Sequence, residues 1–344
     1  MKEVTPIGSR KFDHIRINLE EDVQSGLTSG LEQYSFVHRA IPEIDLKDVD
    51  HSVSLFNKLL SAPILISSMT GGTSEAYKIN QILATAAQET HIAMGVGSQR
   101  IALEQPELAS TFQVRQQAPD ILLFANIGAI QLNYGYDIED CQRTVDMIEA
   151  NALIIHFNAL QEALQTEGET QFAGLIKKVE AVCNALAVPV IAKEVGWGFS
   201  KQDISLLAQA GVTAIDVAGA GGTSWSQVEM YRAQNDGQRK LAAAFSDWGI
   251  PTSEVIQNTL EVAPGMKIIA SGGLHNGVDI AKCIALGASL GGMAGPFLKA
   301  AMESVDKTVK LINLIKQEIS ICMFATGSTT LDQLRLDKLV KKIN

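Results

Sequence analysis

Short runs of apolar and often β-branched residues recur along the chain, and a glycine-rich or polar turn follows each of them. Most runs are continuously apolar rather than alternating, which is typical of parallel strands covered on both faces. The stretches between the runs have helical patterns; one follows residues 200–203, which resemble a capping box, and ends near Gly211. Eight strands are predicted, at residues 63–69, 92–96, 121–127, 152–158, 188–194, 214–218, 267–271 and 289–294.

The spacing of these strands predicts the fold class. Successive strands begin 22 to 36 residues apart, except for one interval of 53 residues. Eight β-α units of about 30 residues are typical of an α/β protein with a (β/α)₈ TIM barrel. The long interval, which contains residues 219–265, is interpreted as a polar active-site loop followed by a helix. A doubly wound fold is disfavoured, because no G-x-G-x-x-G follows the first strand, and no Gly-Lys dipeptide is present for a Walker A loop.

The length of 344 residues would allow two domains, but the barrel uses most of it. We therefore predict a single domain at 1–344, with an N-terminal extension at 1–62, the barrel at 63–300 and C-terminal helices at 301–344. The composition, with 46% hydrophobic and 19% charged residues, provides enough apolar material for a large core and excludes a wholly disordered chain.

Charge and cysteine content narrow the possible partners. The net charge of −10 argues against a general nucleic-acid binder, so a phosphorylated ligand must be held by a few placed cations and N–H groups. The four cysteines are far apart and form no C-x-x-C pair, which indicates reduced thiols rather than a disulfide framework or a zinc site. Residues 1–14 have no apolar signal segment, and residues 283–298 are too short and weakly apolar to cross a bilayer. A cytoplasmic protein without a membrane partner is expected.

Functional groups are expected at the C-terminal ends of the barrel strands. These ends are rich in glycine and small polar residues. Residues 271–273 (SGG) and 294–296 (AGP) end the last two strands, where many barrels hold a phosphate on backbone N–H groups and a short helix N-terminus. Glycine lets the backbone approach the anion closely. The alternative interpretation is that both segments are ordinary turns.

Lys193 ends the fifth predicted strand, inside an otherwise apolar run. A buried ammonium must neutralise a partner or shift its pKa, because burying it alone is unfavourable. An anionic flavin ring or a Schiff base would suit this lysine. A structural ion pair with Glu194 or Asp216 is the alternative.

Residues 156–162 (HFNALQE) form the densest group of polar side chains. His156 and Asn158 alternate on a strand and share one face, while Gln161 and Glu162 follow in the loop. Together they offer a possible phosphate donor, an amide and a carboxylate able to hold Mg²⁺ beside a diphosphate. A histidine at a strand end can also be purely structural.

Several other polar features are less specific. Asn126 and residues 98–100 (SQR) are ordinary polar residues of the same rim. Arg10 and Lys11 place two cations on a mobile N-terminal arm that either faces solvent or clamps a diphosphate. Trp225 and its polar neighbours form either a lid or an interface.

Taken in order, the segments SRKFDH, SSMTGG, GVGSQR, ANIG, HFNALQE, AKEVGWG, AGAGGTSW, SGG and AGP resemble the type 2 isopentenyl-diphosphate isomerase family, from about Arg10 to Gly327. The last two segments are shared by many flavin barrels, whereas HFNALQE, AKEVGWG and GAGGTSW are specific. The resemblance implies an FMN-dependent (β/α)₈ barrel that interconverts isopentenyl and dimethylallyl diphosphate in isoprenoid precursor biosynthesis. It also implies Mg²⁺, reduced FMN generated by NADPH or another reductant, and a homo-oligomer, either a tetramer or an octamer.

The resemblance also assigns residues to roles. It places FMN on Ser67, Ser68, Met69, Thr70, Ser98, Asn126, Lys193, Thr223, Gly272, Gly273, Ala294 and Gly295. It places the substrate on Arg10, Lys11, His14, Ser98, Gln99, Arg100, His156, Asn158 and Gln161. The implied catalytic residues are Gln161, Lys193 and His156, with Gln161 near the reacting carbons, and the implied Mg²⁺ ligand is Glu162.

The implied reaction is an allylic 1,3-proton shift, in which one proton is added and another is removed. No strongly acidic side-chain pair stands out at the strand ends, so the reduced flavin, through its N5, is the expected acid and base. Lys193 would then stabilise the anionic reduced ring. In this hypothesis the protein supplies positioning and electrostatics.

Three other functions are alternatives. An FMN-dependent oxidoreductase of the 2-hydroxy-acid oxidase type would need a histidine base and an arginine after the seventh strand, where this chain has SGGLHNG with His275 displaced. A nucleotide-type barrel dehydrogenase would need a cysteine after the sixth strand, where AGAGGTSW has none. A phosphometabolite-binding regulator would leave HFNALQE and Lys193 without a task.

Overall fold

The computed structural model of the protein describes residues 6–335 and 338–342, with the backbone alone for residues 6–12. Eight of the described strands close into a parallel barrel, in which consecutive strands are neighbours and the last pairs with the first. The strands are β1 (Tyr34–Phe36), β2 (Val53–Leu55), β3 (Lys58–Leu60), β4 (Ile64–Ile66), β5 (Ala93–Gly95), β6 (Leu123–Gly128), β7 (Ala152–His156), β8 (Val190–Lys193), β9 (Ala214–Asp216), β10 (Lys267–Ser271), β11 (Leu290–Met293) and β12 (Leu339–Lys341).

Most α-helices of the described residues lie in the connections between the barrel strands. Others precede the first barrel strand or follow the last one in the chain. They are α1 (Pro6–Glu20), α2 (Ser74–Thr90), α3 (Arg100–Glu104), α4 (Ile138–Met147), α5 (Ala159–Leu164), α6 (Leu175–Ala185), α7 (Lys201–Gln209), α8 (Trp225–Arg232), α9 (Asp236–Ala243), α10 (Thr252–Val262), α11 (Gly277–Ala285), α12 (Gly295–Glu303), α13 (Val305–Ala325) and α14 (Leu331–Leu334). The capping box predicted before α7 is confirmed at Ser200 and Asp203.

The predicted (β/α)₈ barrel is confirmed, and β4 to β11 correspond one by one to the eight predicted strands. Six strands are shorter than predicted at their C-terminal ends, by one to three residues: β4, β5, β7, β8, β9 and β11. Beyond the ends of β4 and β7, the cavity described below is lined by Ser67, Ser68, Met69 and Asn158. Apolar continuity therefore overestimated the length of these strands.

One residue from each barrel strand forms a completely buried layer around the barrel axis. These residues are Leu65, Ala93, Phe124, Ile154, Ile191, Ala214, Ile269 and Leu290. The alternate positions, such as Ile66, Leu153 and Ile268, belong to a second core between the strands and the surrounding helices. Both faces of the sheet are thus apolar, which explains why the strand sequences do not alternate.

The hairpin β2–β3 packs against the interior layer of the barrel. Its Leu55 and Leu60 belong to the same buried cluster as that layer. The ring of Phe56 meets the ring of Phe124 edge to face, with centroids 6.2 Å apart. The hairpin precedes β4 directly, so it covers the N-terminal end of the barrel and leaves the C-terminal end for the site.

The long interval after β9 was interpreted as a polar loop followed by one helix, and this was wrong for its first part. The polar stretch folds into α8 and α9, and the predicted helix is α10. The Asn235 side chain caps α9 by accepting a hydrogen bond from the backbone N–H of Gln238. One face of α8 is buried through Val228 and Glu229, so its polar composition concealed an inward-facing helix.

The two terminal segments also differ from the prediction. The predicted mobile arm is helix α1 from Pro6 onward, and Ile17 of this helix packs with Val23, Val228 and Trp225. The segment predicted as C-terminal helices ends in strand β12, which pairs antiparallel with β1. Within residues 6–335 and 338–342, none of the helices has the length and apolar character needed to span a bilayer.

Candidate active site

A cavity of about 630 Å³ opens at the C-terminal ends of the barrel strands. Its wall includes residues of α1 and of the turns after the barrel strands. The residues proposed from the sequence that line it are His14, Ser67, Ser68, Met69, Thr70, Ser98, Arg100, Asn126, His156, Asn158, Gln161, Glu162, Lys193, Thr223, Gly272, Gly273, Ala294 and Gly295. The structure therefore brings nearly all of them together. The side chains of Arg10 and Lys11, also proposed from the sequence, lie outside the described residues.

A ring of eight residues lies two positions beyond the apolar layer, one on each strand, and faces the same interior. We call it the polar ring: Ser67, Gly95, Asn126, His156, Lys193, Asp216, Ser271 and Gly292. Six of its members line the cavity, whereas Gly95 and Asp216 do not. On each strand the inward-facing residue is apolar in the first layer and is polar or glycine two positions later. The polar ring therefore forms the floor of the cavity, which we call the polar floor, and the apolar layer lies beneath it.

Two serine hydroxyls of this floor have unused hydrogen-bonding capacity. Ser67 Oγ and Ser68 Oγ are buried and make no hydrogen bond with the described residues. A Cβ at Gly292 would lie 2.6 Å from Ser67 Oγ, and one at Gly95 would lie 2.5 Å from Ser68 Oγ, so a side chain at either glycine would displace the hydroxyl beside it. Buried unpaired hydroxyls are uncommon, and these two fit a polar ligand such as a flavin ring.

The last two strands end in a backbone suited to a phosphate. Gly272 and Gly273 follow β10 with φ of 99° and 72°, a region that residues with side chains rarely adopt. Helix α12 begins at Gly295, and a Cβ there would meet nothing within 4 Å. The free backbone around Gly295 and the helix N-terminus can accept an anion.

His156 is held by Asn126 within the polar ring. Its Nδ1 lies 2.8 Å from Asn126 Oδ1, and the backbone N–H of Asn126 donates to Gln99 Oε1 at 3.0 Å. The Gln99 side chain also donates to the carbonyl of Thr144 at 2.9 Å. Gln99 is completely buried and is not part of the cavity lining, so its side chain holds the backbone of the site, and a contact of this residue with substrate stays a prediction.

Asn158, Gln161 and Glu162 are joined at the start of α5. The Asn158 amide donates to Glu162 Oε1 at 2.8 Å and to Gln161 Oε1 at 3.3 Å. Its own Oδ1 is buried and makes no hydrogen bond with the described residues. The Asn158 oxygen, the Gln161 amide and the Glu162 carboxylate are therefore grouped on one side of the cavity.

Glu229 was missed by the sequence analysis, which recognised no carboxylate in the polar interval. Its Oε1 lies 3.4 Å from His14 Nε2 and accepts a hydrogen bond from Gln161 Nε2 at 3.4 Å, and its Oε2 pairs with Arg232. Burial raises the pKa of Glu229, but His14, Arg232 and Gln161 together bring the pKa below its ordinary value. The sequence did contain one signal for this residue. Glu229 is four positions after Trp225 and three before Arg232, a spacing that places these side chains side by side on a helix.

Arg100 is bound by two carboxylates. Its Nε donates to Glu104 Oε1 at 2.8 Å and its Nη1 to Glu169 Oε2 at 2.7 Å. Burial lowers the pKa of Arg100, but both carboxylates more than compensate, and the pKa rises above its ordinary value. The backbone N–H of Glu169 donates to Glu162 Oε2 at 2.8 Å, so this residue, also missed, links Arg100 to the proposed metal ligand.

Lys193 donates to the backbone carbonyl of Glu194 at 2.6 Å. The Glu194 carboxylate instead accepts the backbone N–H groups of Val195, Gly196 and Trp197, at 2.6–2.8 Å. Burial raises the pKa of Glu194 to about 7, against the opposing effect of these N–H groups and of Lys193. The ammonium of Lys193 thus lines the cavity while a carbonyl anchors it.

The metal hypothesis depends on Glu162 alone. In the part of the chain that the structure describes, three or more His, Cys, Asp or Glu side chains do not converge into a metal cluster. Mg²⁺ commonly uses one or two protein carboxylates and completes its coordination with phosphate oxygens and water. A single carboxylate facing the cavity is compatible with that pattern.

Comparisons with known proteins agree with this geometry. The family model for FMN-dependent dehydrogenases matches residues 142–341. A mandelate oxidase structure superposes with a TM-score of 0.67 over 97% of this chain and 95% of that chain, at 18% identity. A flavocytochrome b2 structure gives a TM-score of 0.69 over 97% and 83%, at 17% identity. Fold and family together define an FMN-dependent (β/α)₈ barrel protein.

Closer relatives identify the family within this class. An isopentenyl-diphosphate delta-isomerase from a Nostoc species is 55% identical over 95% of this chain and 94% of its own length. The enzyme of the same name from Rickettsia bellii is 51% identical over 96% of both chains. The chain belongs to the isopentenyl-diphosphate delta-isomerase family.

Proposed function

We propose that this protein interconverts isopentenyl diphosphate and dimethylallyl diphosphate by an allylic 1,3-proton shift, as a type 2 isomerase that uses reduced FMN. The observation that carries the proposal is that one cavity contains both a surface suited to a flavin and a group of polar side chains suited to a diphosphate substrate and its metal ion. The polar floor has buried hydroxyls suited to a flavin, and the joined Asn158, Gln161 and Glu162 face the space beside it. The family membership supports the same substrate pair.

The residues that would hold FMN are those of the floor and of the last two strand ends. Ser67, Ser68 and Lys193 would bind the ring, and the backbone at Gly273 and Gly295 would bind the phosphate. Reduced FMN, when bound, supplies an electron-rich ring and a group that can donate and accept a proton at an unactivated alkene. The protein's contribution is to position the two reactants and to exclude water.

The substrate diphosphate would lie on the opposite side of the cavity, with Arg100, His14 and His156 as cationic or N–H partners. Arg10 and Lys11 belong to the same proposal. Mg²⁺ on Glu162 would neutralise part of the diphosphate charge. Gln161, which donates to Glu229, would place its amide near the reacting carbons.

NADPH as reductant, a cytoplasmic location and a homo-oligomer of four or eight subunits complete the proposal. We also propose that the chain acts as one domain, because α1 and the barrel build one cavity. The 2-hydroxy-acid oxidase alternative has weaker support. His275, the histidine after the seventh barrel strand, is exposed, while Ser271 occupies the polar ring at that strand.

The test is an anaerobic incubation of the purified protein with FMN, NADPH, Mg²⁺ and isopentenyl diphosphate, followed by product analysis. Dimethylallyl diphosphate should form with far less than one NADPH consumed per product. Reactions without Mg²⁺ or without NADPH serve as controls and should be slow. Absence of product, or stoichiometric oxidation of NADPH, would reject the isomerase and favour an oxidoreductase.

A further inference from the structure

Asp216 is a member of the polar ring that the cavity does not reach. It is completely buried at the C-terminal end of β9 and is not part of the cavity lining. Its neighbours in the ring are Lys193 on β8 and Ser271 on β10, both of which do line the cavity. A carboxylate in such a place acts on the cavity through its charge and through these two residues.

The hydrogen bonds of Asp216 are asymmetric. Its Oδ1 accepts the hydroxyl of Ser271, and the backbone N–H of Ala218 also stabilises the carboxylate. Its Oδ2 is buried and makes no hydrogen bond with the described residues. Ala218 has φ of 33°, which is a strained conformation for a residue with a side chain. The chain therefore accepts local strain where the backbone turns toward this carboxylate.

Asp216 and Lys193 are direct partners in the register between β9 and β8, so their side chains leave the sheet on the same side. Burial raises the pKa of Asp216, and the positive charge of Lys193 opposes that rise. The other nearby carboxylate, Glu194, accepts three backbone N–H groups on its Oε2, and the hydrogen bond that Lys193 donates goes to the Glu194 carbonyl rather than to this carboxylate. A buried ammonium without a compensating charge is strongly unfavourable, and Asp216 is placed to provide that charge.

The same carboxylate fixes the direction in which the Ser271 hydroxyl donates its hydrogen bond. A hydroxyl has one hydrogen to donate, and Ser271 gives it to Asp216. The lone pairs of its oxygen are then left for the cavity, while Lys193 next in line presents only donors.

We propose that Asp216 is a positioning residue for the flavin: it balances the charge of Lys193 and orients Ser271, and through them it sets the reduction potential of bound FMN. The proposal rests on FMN binding to the polar floor, and it does not depend on the isomerase activity. With Asp216 ionised, the pair has no net charge. Without that charge, the ammonium would stabilise the anionic reduced ring more strongly, and the potential would rise.

The decisive measurement is the midpoint potential of the FMN-loaded protein, determined by dye equilibration for the wild type and for Asp216→Asn. The midpoint potential of the variant should be higher than that of the wild type by about 30 mV or more. For a two-electron couple, this corresponds to an increase of about tenfold in the ratio of reduced to oxidised flavin at a fixed potential. An unchanged or lower potential would overturn the proposal.

Two comparisons separate charge from structure. Ser271→Ala removes the hydroxyl but keeps the Asp216 carboxylate, so the potential of FMN in this variant should change by less than half of the Asp216→Asn shift. A rise equal to that of Asp216→Asn would reject the role of charge. Asp306→Asn, the same chemical change at an exposed site on α13, should leave the potential as in the wild type.

If Asp216→Asn does not fold, Lys193→Met and the double variant Lys193→Met/Asp216→Asn test the same claim. The potential should fall in the single variant and return toward the wild-type value in the double variant. A double variant with the same potential as Lys193→Met would overturn the proposal. A wild type without isomerase activity would count against the proposed function alone. An unchanged potential in Asp216→Asn would count against this role of Asp216 alone, because the potential is measured without substrate.

Discussion

His14 Nε2 lies 3.4 Å from Glu229 Oε1, and this contact ties helix α1 to helix α8 across the mouth of the cavity. Glu229 is almost completely buried and also accepts a hydrogen bond from Gln161. One carboxylate that does not line the cavity therefore fixes two side chains that do. Its charge strengthens the hydrogen bond that Gln161 donates, and it pairs with the His14 ring when that ring is protonated.

Replacing Glu229 with Gln should lower kcat/KM for isopentenyl diphosphate by on the order of tenfold or more, because hydrogen bonds to a charged group contribute about 1.5–3 kcal/mol. Steady-state kinetics of the FMN-loaded enzyme measures this. Glu303→Gln, at an exposed position of α12, is the matched control and should behave as the wild type. Equal kinetics in both variants would show that the contact has no part in catalysis.

The same carboxylate predicts a pH dependence of stability. The folded protein lowers the pKa of Glu229, so the ionised group stabilises the fold above its unfolded pKa, and this contribution is lost as the pH falls through the lower folded pKa. The wild type should therefore unfold at a higher temperature than Glu229→Gln at neutral pH, and the difference should shrink in acid. Thermal unfolding in buffers between pH 7 and strongly acidic conditions tests this; a difference that grows in acid would contradict it.

Ser67→Ala and Ser68→Ala should have opposite effects on the FMN-free and the FMN-loaded protein. A buried unsatisfied hydroxyl is unfavourable by about 1–3 kcal/mol, so its removal should leave the FMN-free protein as stable or more stable. FMN affinity should fall, because the ligand loses its partner. Fluorescence titration and thermal unfolding with and without FMN provide both readouts, with the exposed Ser110→Ala as control. Unaltered FMN affinity in both variants would remove these serines from the flavin site.

Arg100→Lys should raise the KM for isopentenyl diphosphate by on the order of tenfold, because a lysine cannot bridge Glu104 and Glu169 and still present a fork to a diphosphate. Arg115→Lys is an instructive control. Arg115 donates to the backbone carbonyls of Ala118 and Glu149, so this variant should lose stability and keep its KM. A normal KM in Arg100→Lys would argue against diphosphate binding at this residue.

Gln99→Ala should destabilise the fold without weakening substrate binding. The side chain is completely buried and joins the backbones of Asn126 and Thr144, so its loss should reduce the free energy of unfolding by about 1–3 kcal/mol. Chemical denaturation measures this, and the KM for isopentenyl diphosphate should stay within about twofold, since no transition-state contact is removed. A raised KM with unchanged stability would instead support substrate binding by Gln99.

The sequence predicted the barrel well because most of its strands are continuous apolar runs, and the barrel requires that pattern on both faces of the sheet. It also predicted most of the cavity lining, because the C-terminal strand ends meet at one rim. Glu229 and Glu169 were missed for a common reason. Both lie in polar connections after the strands, and their inward orientation is set by tertiary packing of α8 and of the segment after α5, which no local pattern records.

Gln99 shows a second limit of the sequence. It follows the polar rim residue Ser98 immediately, and a sequence gives no indication of which of two adjacent side chains turns inward. The structure turns Gln99 behind the rim to hold the backbone of Asn126. Position at a strand end therefore identified the neighbourhood of the site correctly, but not the direction of every side chain in it.

The pairing of β1 with β12 has a consequence for how the protein is made. Tyr34 pairs with Lys341, so the whole barrel separates the two partners in the chain. This contact cannot form while the ribosome is still adding barrel strands, and contacts between such distant residues form slowly. During synthesis the barrel can close before β1 has its partner, so this pairing of two distant segments is the last strand contact of the described chain to form.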